Sequence, residues 1–313
     1  NPFDLNTITR FCQKHGLWLI EDNCDALGST YQQTTASNAS TQPKTANQKP
    51  ETKNRPTGSF GDLSTQSFYP PHHLTMGEGG AINLVKKRSL RVLVESFRDW
   101  GRDCWCPSGM DNTCGKRFGW KLGELPEGYD HKYIYSHLGY NVKPLDIQAA
   151  IGRVQMGRLP AFTEARIDNW NHLRAGLANL EEFLSFSLPT HATGWSAENG
   201  FNWDDSGNTC SPSWFGFMIR VSPEAPFTHS DLAAHLNARK IGNRMLFGGN
   251  LLRQPAFVQL KKDRPDAFRV VGDLPGADAL MNEALFLGTY PGLTQSMLNY
   301  AIEVIQEFVK KYH

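Results

Sequence analysis

The sequence predicts an α/β protein, and three observations carry the prediction. Apolar residues recur at helical spacing in some segments and crowd into short strand-like runs in others, and the two kinds alternate. The first such run, residues 17–20, leads into Glu21-Asp22, and the carboxyl ends of strands are where α/β proteins place ligand-binding groups. The 313 residues are 40% hydrophobic with a net charge of +1, enough to close one large core or two ordinary ones.

Taken in order, Leu5, Ile8, Phe11 and Cys12 mark a helix that Gly16 ends, and residues 17–20 follow as a strand. Residues 32–57 are rich in Thr, Ser, Asn, Gln, Lys and Pro with almost no apolar side chain, and read as a flexible surface insertion. Residues 84–98 read as a helix with Leu90, Leu93, Val94 and Phe97 on one face. Residues 99–140, rich in Gly, Cys and aromatics, read as long functional loops. Helices are expected over 146–159 and 162–180, then a polar, Gly-rich loop over 191–211. A strand over 214–221, a helix over 229–239 and a return strand over 241–247 follow, and Leu298, Ile302, Ile305 and Phe308 give a closing amphipathic helix. The expected domains are 1–158 and 159–313.

Composition excludes some classes. Charge is balanced, so nucleic acid is not an expected partner, and no run of about 18 apolar residues signals a membrane span. No secretory signal opens the chain, so a cytoplasmic location with free thiols is expected, and the sequon Asn38-Ala39-Ser40 carries no weight there. The chain opens on Asn1-Pro2-Phe3-Asp4 and reaches its acidic strand end almost at once, which reads as the C-terminal part of a longer protein.

Two patterns point to chemistry. Residues 68–80 read Phe-Tyr-Pro-Pro-His-His-Leu-Thr-Met-Gly-Glu-Gly-Gly, with His72 five positions before Gly77. An imidazole moves protons near neutral pH, so His72 is a candidate base, while His73 is a packing or substrate-contacting residue. Cys104-Trp105-Cys106 is followed by Cys114, and Cys24 lies two residues after Asp22. Four thiolates suit an iron–sulfur cluster or zinc, and spacing alone leaves the two comparable. Cys12 and Cys210 fall outside this pattern and read as ordinary thiols.

The 68–80 segment resembles the cofactor-lysine segment of the DegT/DnrJ/StrS sugar aminotransferases. In that family a lysine at the position of His72 carries pyridoxal phosphate covalently. The exchange keeps a base and removes the covalent anchor, which points away from transamination. Glu21-Asp22 with Ala26-Leu27-Gly28 resembles the segment whose aspartate pairs with the pyridine nitrogen, Ser67 resembles a phosphate contact, and Asn141 a residue that reaches a neighbouring subunit's cofactor.

Residues 98–106, 114–118, 128–133, 136–141, 212–217 and 244–250 resemble the branch of pyridoxamine-phosphate-dependent CDP-4-keto-6-deoxyglucose 3-dehydrases. That branch joins the histidine exchange to a 2Fe–2S cluster. The resemblance implies an aspartate-aminotransferase-type fold (PLP fold type I), with a large domain incomplete at its N-terminus and a small C-terminal α/β domain. It implies a homodimer, a CDP-sugar substrate, Cys24, Cys104, Cys106 and Cys114 as cluster ligands, and a separate NADH-dependent flavin/iron–sulfur reductase. Arg244 and Asn250 are candidate substrate contacts, although Asn250 also suits a turn cap. The product would feed 3,6-dideoxyhexoses of lipopolysaccharide O antigen. The residues leave CDP and GDP unseparated. They also leave open a cluster-free dehydratase, a non-catalytic zinc or redox protein on the same scaffold, and a piece that is inactive alone.

Overall fold

The computed structural model describes residues 1–34, 52–107 and 109–312. The chain divides into two compact units. One comprises Asn1–Asn6, Asp25–Thr57 and Arg158–His313; the other comprises Thr7–Cys24 and Gly58–Gly157. Segments 1–6 and 25–57 thus go with the C-terminal unit, which a contiguous 1–158 domain does not provide for.

Helix α1 (Leu5–His15) ends at Gly16, whose φ of +64° a residue without Cβ adopts at least cost. Strand β1 (Ile20–Asp22) begins where the apolar run ends rather than spanning it. Residue Leu19 instead donates its backbone N–H to the Asp62 carboxylate at 2.9 Å. Strands β2 (Thr30–Thr34) and β3 (Thr52–Pro56) pair antiparallel, so both ends of the expected 32–57 insertion are ordered strand; residues 35–51 and the sequon lie outside the described residues.

In the unit of Thr7–Cys24 and Gly58–Gly157, β4 (Leu63–Ser67) pairs parallel with β1 and antiparallel with β5 (Gly80–Leu84). Leu84 therefore closes a strand. Helix α2 starts only at Arg91 and runs to Arg98, after a short 3-10 turn at Arg88–Leu90. Buried Glu21 orders the entry to β4: its carboxylate accepts the N–H groups of Gly58, Phe60 and Gly61 at 2.8, 2.7 and 2.6 Å. Such charge-assisted bonds satisfy donors that the turn would otherwise bury unpaired.

Helix α3 (Asp146–Gly176) runs through Pro160, where the sequence predicts a break. Proline costs a helix one hydrogen bond, but Pro160 is exposed, so water reaches the carbonyl it leaves without a partner.

The C-terminal unit holds a sheet of order β11-β12-β10-β6, with β6 Leu184–Phe186, β10 Gly216–Val221, β11 Asn243–Met245 and β12 Ala284–Gly288, all neighbours antiparallel. Helices α4 (His229–Ala238), α5 (Pro255–Asp263), α6 (Pro275–Glu283) and α7 (Gln295–Val309) accompany it. Its core joins Trp170, Leu173 and Leu177 of α3 to Phe217 and Ile219 of β10, Leu232 of α4 and Ile305 of α7. Strand β10 buries every second residue, as a sheet with one packed face requires. The 191–211 segment is not a loop. It forms the hairpin of β7 (Ala192–Ser196) and β8 (Gly200–Trp203), then β9 (Thr209–Ser211) pairs with β2.

Candidate active site

The candidate site is built on the ends of β1 and β4. Their parallel register sets Asp22 opposite Thr65, and the Thr65 hydroxyl donates to Asp22 Oδ1 at 2.9 Å. The Cys24 backbone N–H donates to the same oxygen at 3.1 Å. Hydrogen bonds from the Cys24 thiol and the Thr65 hydroxyl hold the Asp22 carboxyl below its ordinary range, and the charge of nearby His72 adds to them against the cost of burial. An ionised carboxylate at a strand's carboxyl end suits the protonated ring nitrogen of a pyridine cofactor.

His72 lies in the loop between β4 and β5. That loop is cinched by Phe68 N–H to Gly79 O at 2.8 Å and Met76 N–H to Phe68 O at 3.1 Å. Gly77 and Gly79 hold φ of +87° and +145°, which explains glycine at both places. The His72 N–H donates to Tyr69 O at 3.0 Å, and the Tyr69 ring meets the imidazole edge-on, centroids 5.4 Å apart. His73 is buried. The lysines downstream are engaged elsewhere: Lys86 Nζ donates to Phe60 O at 2.6 Å, and Lys87 Nζ sits 4.9 Å from the Trp18 ring. Ser67 ends β4, and its Oγ accepts the Tyr69 N–H at 3.3 Å.

The cysteines of the 99–140 segment adjoin one another. Cys104, Cys106 and Cys114 line one cavity of about 180 Å³ with Arg102, Arg117 and His131. Bonds from the Thr113 hydroxyl first, then from the Cys114 backbone and the neighbouring thiols, bring Cys106 down to about 6, while burial pushes Cys104 up. Cys24 Sγ lies 3.8 Å from Thr65 Oγ1. Among the described residues no group of three or more His, Cys, Asp and Glu side chains is placed to hold a metal ion. The donor set still suits a 2Fe–2S cluster in its chemistry. Such a cluster takes four thiolates shared by two irons, so no single iron needs more than two of them.

Asn141 is exposed and forms an antiparallel bridge with Asp99. The crossing beneath it demands glycine: a Cβ on Gly101, at φ +79°, would collide with the His137 carbonyl. Arg244 and Asn250 belong to the C-terminal unit. Arg244 is exposed and bonds the Asn243 carbonyl at 2.7 Å, whereas buried Asn250 caps the turn at Leu252 and bonds Asp278. Asn250 thus has a structural duty. Cys12 and Cys210 are buried free thiols, with Cys210 pushed up to about 11 by burial.

Sequence reasoning missed Thr65, whose pairing with Asp22 depends on strand register, and His131, which the structure buries beside the cysteines.

The sequence model of the DegT/DnrJ/EryC1/StrS aminotransferase family matches residues 1–306. The chain belongs to that family. It is 44% identical over 308 residues to the lipopolysaccharide biosynthesis protein RfbH of Salmonella typhimurium, covering 98% of this chain and 60% of the relative. It is 44% identical over 311 residues to the dTDP-4-dehydro-2,6-dideoxy-D-glucose 3-dehydratase of Saccharopolyspora spinosa, covering 99% and 57%. The chain therefore spans somewhat under two thirds of these relatives. The structure of E. coli GDP-4-keto-6-deoxy-D-mannose-3-dehydratase with bound hydrated PLP superposes with a TM-score of 0.69 at 23% identity, over 97% of this chain and 64% of that one. This family member thus has the PLP fold type I architecture.

No helix among the described residues is long and apolar enough to cross a membrane.

Proposed function

We propose that this chain carries the catalytic residues of a nucleotide-sugar 3-dehydratase that works with pyridoxamine phosphate. The observation that carries the reading is His72, a histidine rather than a lysine, held in a cinched loop within electrostatic reach of the Asp22 carboxylate. When bound, the cofactor supplies an amine that condenses with a ketone and a ring that accepts an electron pair. Asp22, kept ionised, would hold the ring nitrogen protonated, and Ser67 would donate to the phosphate. His72 would be the base toward the C4′ carbon, and the proton it takes would balance loss of the carbon-3 hydroxyl as water, with His73 behind it.

In this reading Cys104, Cys106, Cys114 and Cys24 would hold a 2Fe–2S cluster, whose chemistry is one-electron transfer, with a separate NADH-dependent flavin/iron–sulfur reductase as the electron source. Asn141 contributes to the site of a second copy. The exposed stripe Ile147, Ile151 and Val154, at helical spacing on α3, supports a homodimer. The cysteine pattern favours a CDP-linked 4-keto-6-deoxyhexose, with Arg244 toward the substrate. A dTDP-linked sugar is the competing reading, because the Saccharopolyspora relative is named for one.

The test is product analysis of the protein loaded with pyridoxamine phosphate and given a CDP-4-keto-6-deoxyhexose. Loss of the carbon-3 hydroxyl is expected. Transfer of the amino group to carbon 4, giving an aminosugar, would overturn the reading.

A further inference from the structure

We propose that the turn Asp130-His131-Lys132 is a splint that sets the thiols of Cys104, Cys106 and Cys114 in place before any cluster binds. Each of its three side chains grips a different point of the two cysteine-bearing stretches. Asp130 takes Arg117 in a two-pronged pair, Nε to Oδ1 at 3.0 Å and Nη2 to Oδ2 at 2.8 Å. Lys132 Nζ donates to Asp111 Oδ1 at 2.7 Å. Cys114 lies between these two anchors, Asp111 and Arg117. His131 pairs through Nε2 with Asp103 Oδ2 at 2.8 Å, next to Cys104. Backbone bonds repeat two of the three links: His131 N–H to Arg117 O at 2.8 Å, and Asp103 N–H to Ile134 O at 2.8 Å.

The His131 link is the strongest of the three. Its side chain is 1% exposed, stacked on Trp120 at 4.6 Å and met edge-on by Trp105, the residue between the two thiols Cys104 and Cys106. A hydrogen bond shielded from water in this way is hard to exchange for solvent. The Asp130 and Lys132 pairs are partly exposed, but Asp130 grips Arg117 by two prongs and also caps the turn through the Lys132 N–H, so its loss releases both at once. Ordering of a long irregular segment is thereby completed on folding rather than charged to ligand binding. The three residues are positioning residues: they act through the cysteine-bearing stretches that they hold.

The inference rests on the cluster reading only for what the thiols finally hold, and its test needs no cluster. The probe is phenylarsine oxide, which requires two neighbouring thiolates, titrated into the metal-free protein. His131→Phe keeps the ring stack and removes the donor; His131→Gln keeps a donor; Asp130→Ala changes a partly exposed side chain that the fold can spare. His131→Phe and Asp130→Ala are expected to weaken arsenical binding by about tenfold or more, within the range of outer-shell changes at ligand sites, with His131→Gln largely restoring it. Binding as tight as the parent's in Asp130→Ala overturns the splint, whatever the buried variants do. If Asp130→Ala weakens the arsenical while the parent takes up no iron and sulfide on reconstitution, the splint stands and the cluster reading fails.

Discussion

Thr65 faces Asp22 across the β1–β4 pair and donates its hydroxyl to Oδ1 at 2.9 Å. The bond leaves the carboxylate ionised and in a fixed orientation, and with the Cys24 thiol it lowers the Asp22 pKa. Replacing Thr65 by Val removes one of those donors without changing the side chain's shape. Retention of pyridoxamine phosphate should then fail at a higher pH on its acid side than in the parent. A dialysis series over pH 3–7, read by cofactor absorbance, checks the direction. An unmoved acid limb would remove Thr65 from the account.

The thiol chemistry gives a second pH dependence. Cys106 is brought down to about 6, chiefly by the Thr113 hydroxyl, so its thiolate predominates above that pH in the folded protein. Its contribution to stability is present above the ordinary thiol pKa and is lost as pH falls through about 6. In metal-free protein, iodoacetamide labelling of Cys106 should rise through pH 6, while Cys210, pushed up to about 11, stays silent until far higher pH. Peptide mass spectrometry distinguishes the two. Thr113→Val should move the Cys106 midpoint upward.

The core offers a test of packing alone. Trp170 is 1% exposed and stacks on Trp214 at 4.7 Å with the rings 10° apart. Trp170→Ala should cost about 3–5 kcal/mol, the range for truncating a large buried side chain. Urea unfolding followed by far-UV circular dichroism reads the loss as a lower midpoint. A loss below about 1 kcal/mol would mean the site collapses without a cavity.

Much of the fold was legible because apolar periodicity survives in the elements that pack. The expected strand, helix and return strand of the C-terminal unit appear as β10, α4 and β11, and the stripe of Leu298, Ile302, Ile305 and Phe308 lies buried on α7. The misses have physical causes. Pro160 reads as a helix end, yet an exposed proline can be carried within a long helix. Polar strands such as Thr30–Thr34 and Thr209–Ser211 carry little hydrophobic signal, because their order comes from backbone pairing with strands distant in sequence.

The same division runs through the site. Asp22, Ser67 and His72 are local features of one strand end or one loop and can be read in sequence. Thr65 opposite Asp22 and His131 opposite Asp103 exist only through register and loop folding. Glu21 shows the converse: beside Asp22 in sequence, it is spent on the backbone of Gly58, Phe60 and Gly61.

The part proposed for a cluster is separable from that proposed for the base. Cys106→Ser should damage any 2Fe–2S absorption and block formation of the reduced 3-deoxy product with the reductase. Proton movement at the cofactor does not use the cluster and should survive. Parent-rate reduction in this variant would remove the cluster from electron delivery.

The most direct measurement is exchange of the C4′ hydrogen of bound pyridoxamine phosphate with deuterated water, in the presence of a CDP-4-keto-6-deoxyhexose, for the parent and for His72→Asn. The account predicts exchange in the parent and a fall of about 10²–10⁴ in the variant, the usual cost of removing a positioned base, with the cofactor still bound. Exchange at the parent rate in His72→Asn would contradict it.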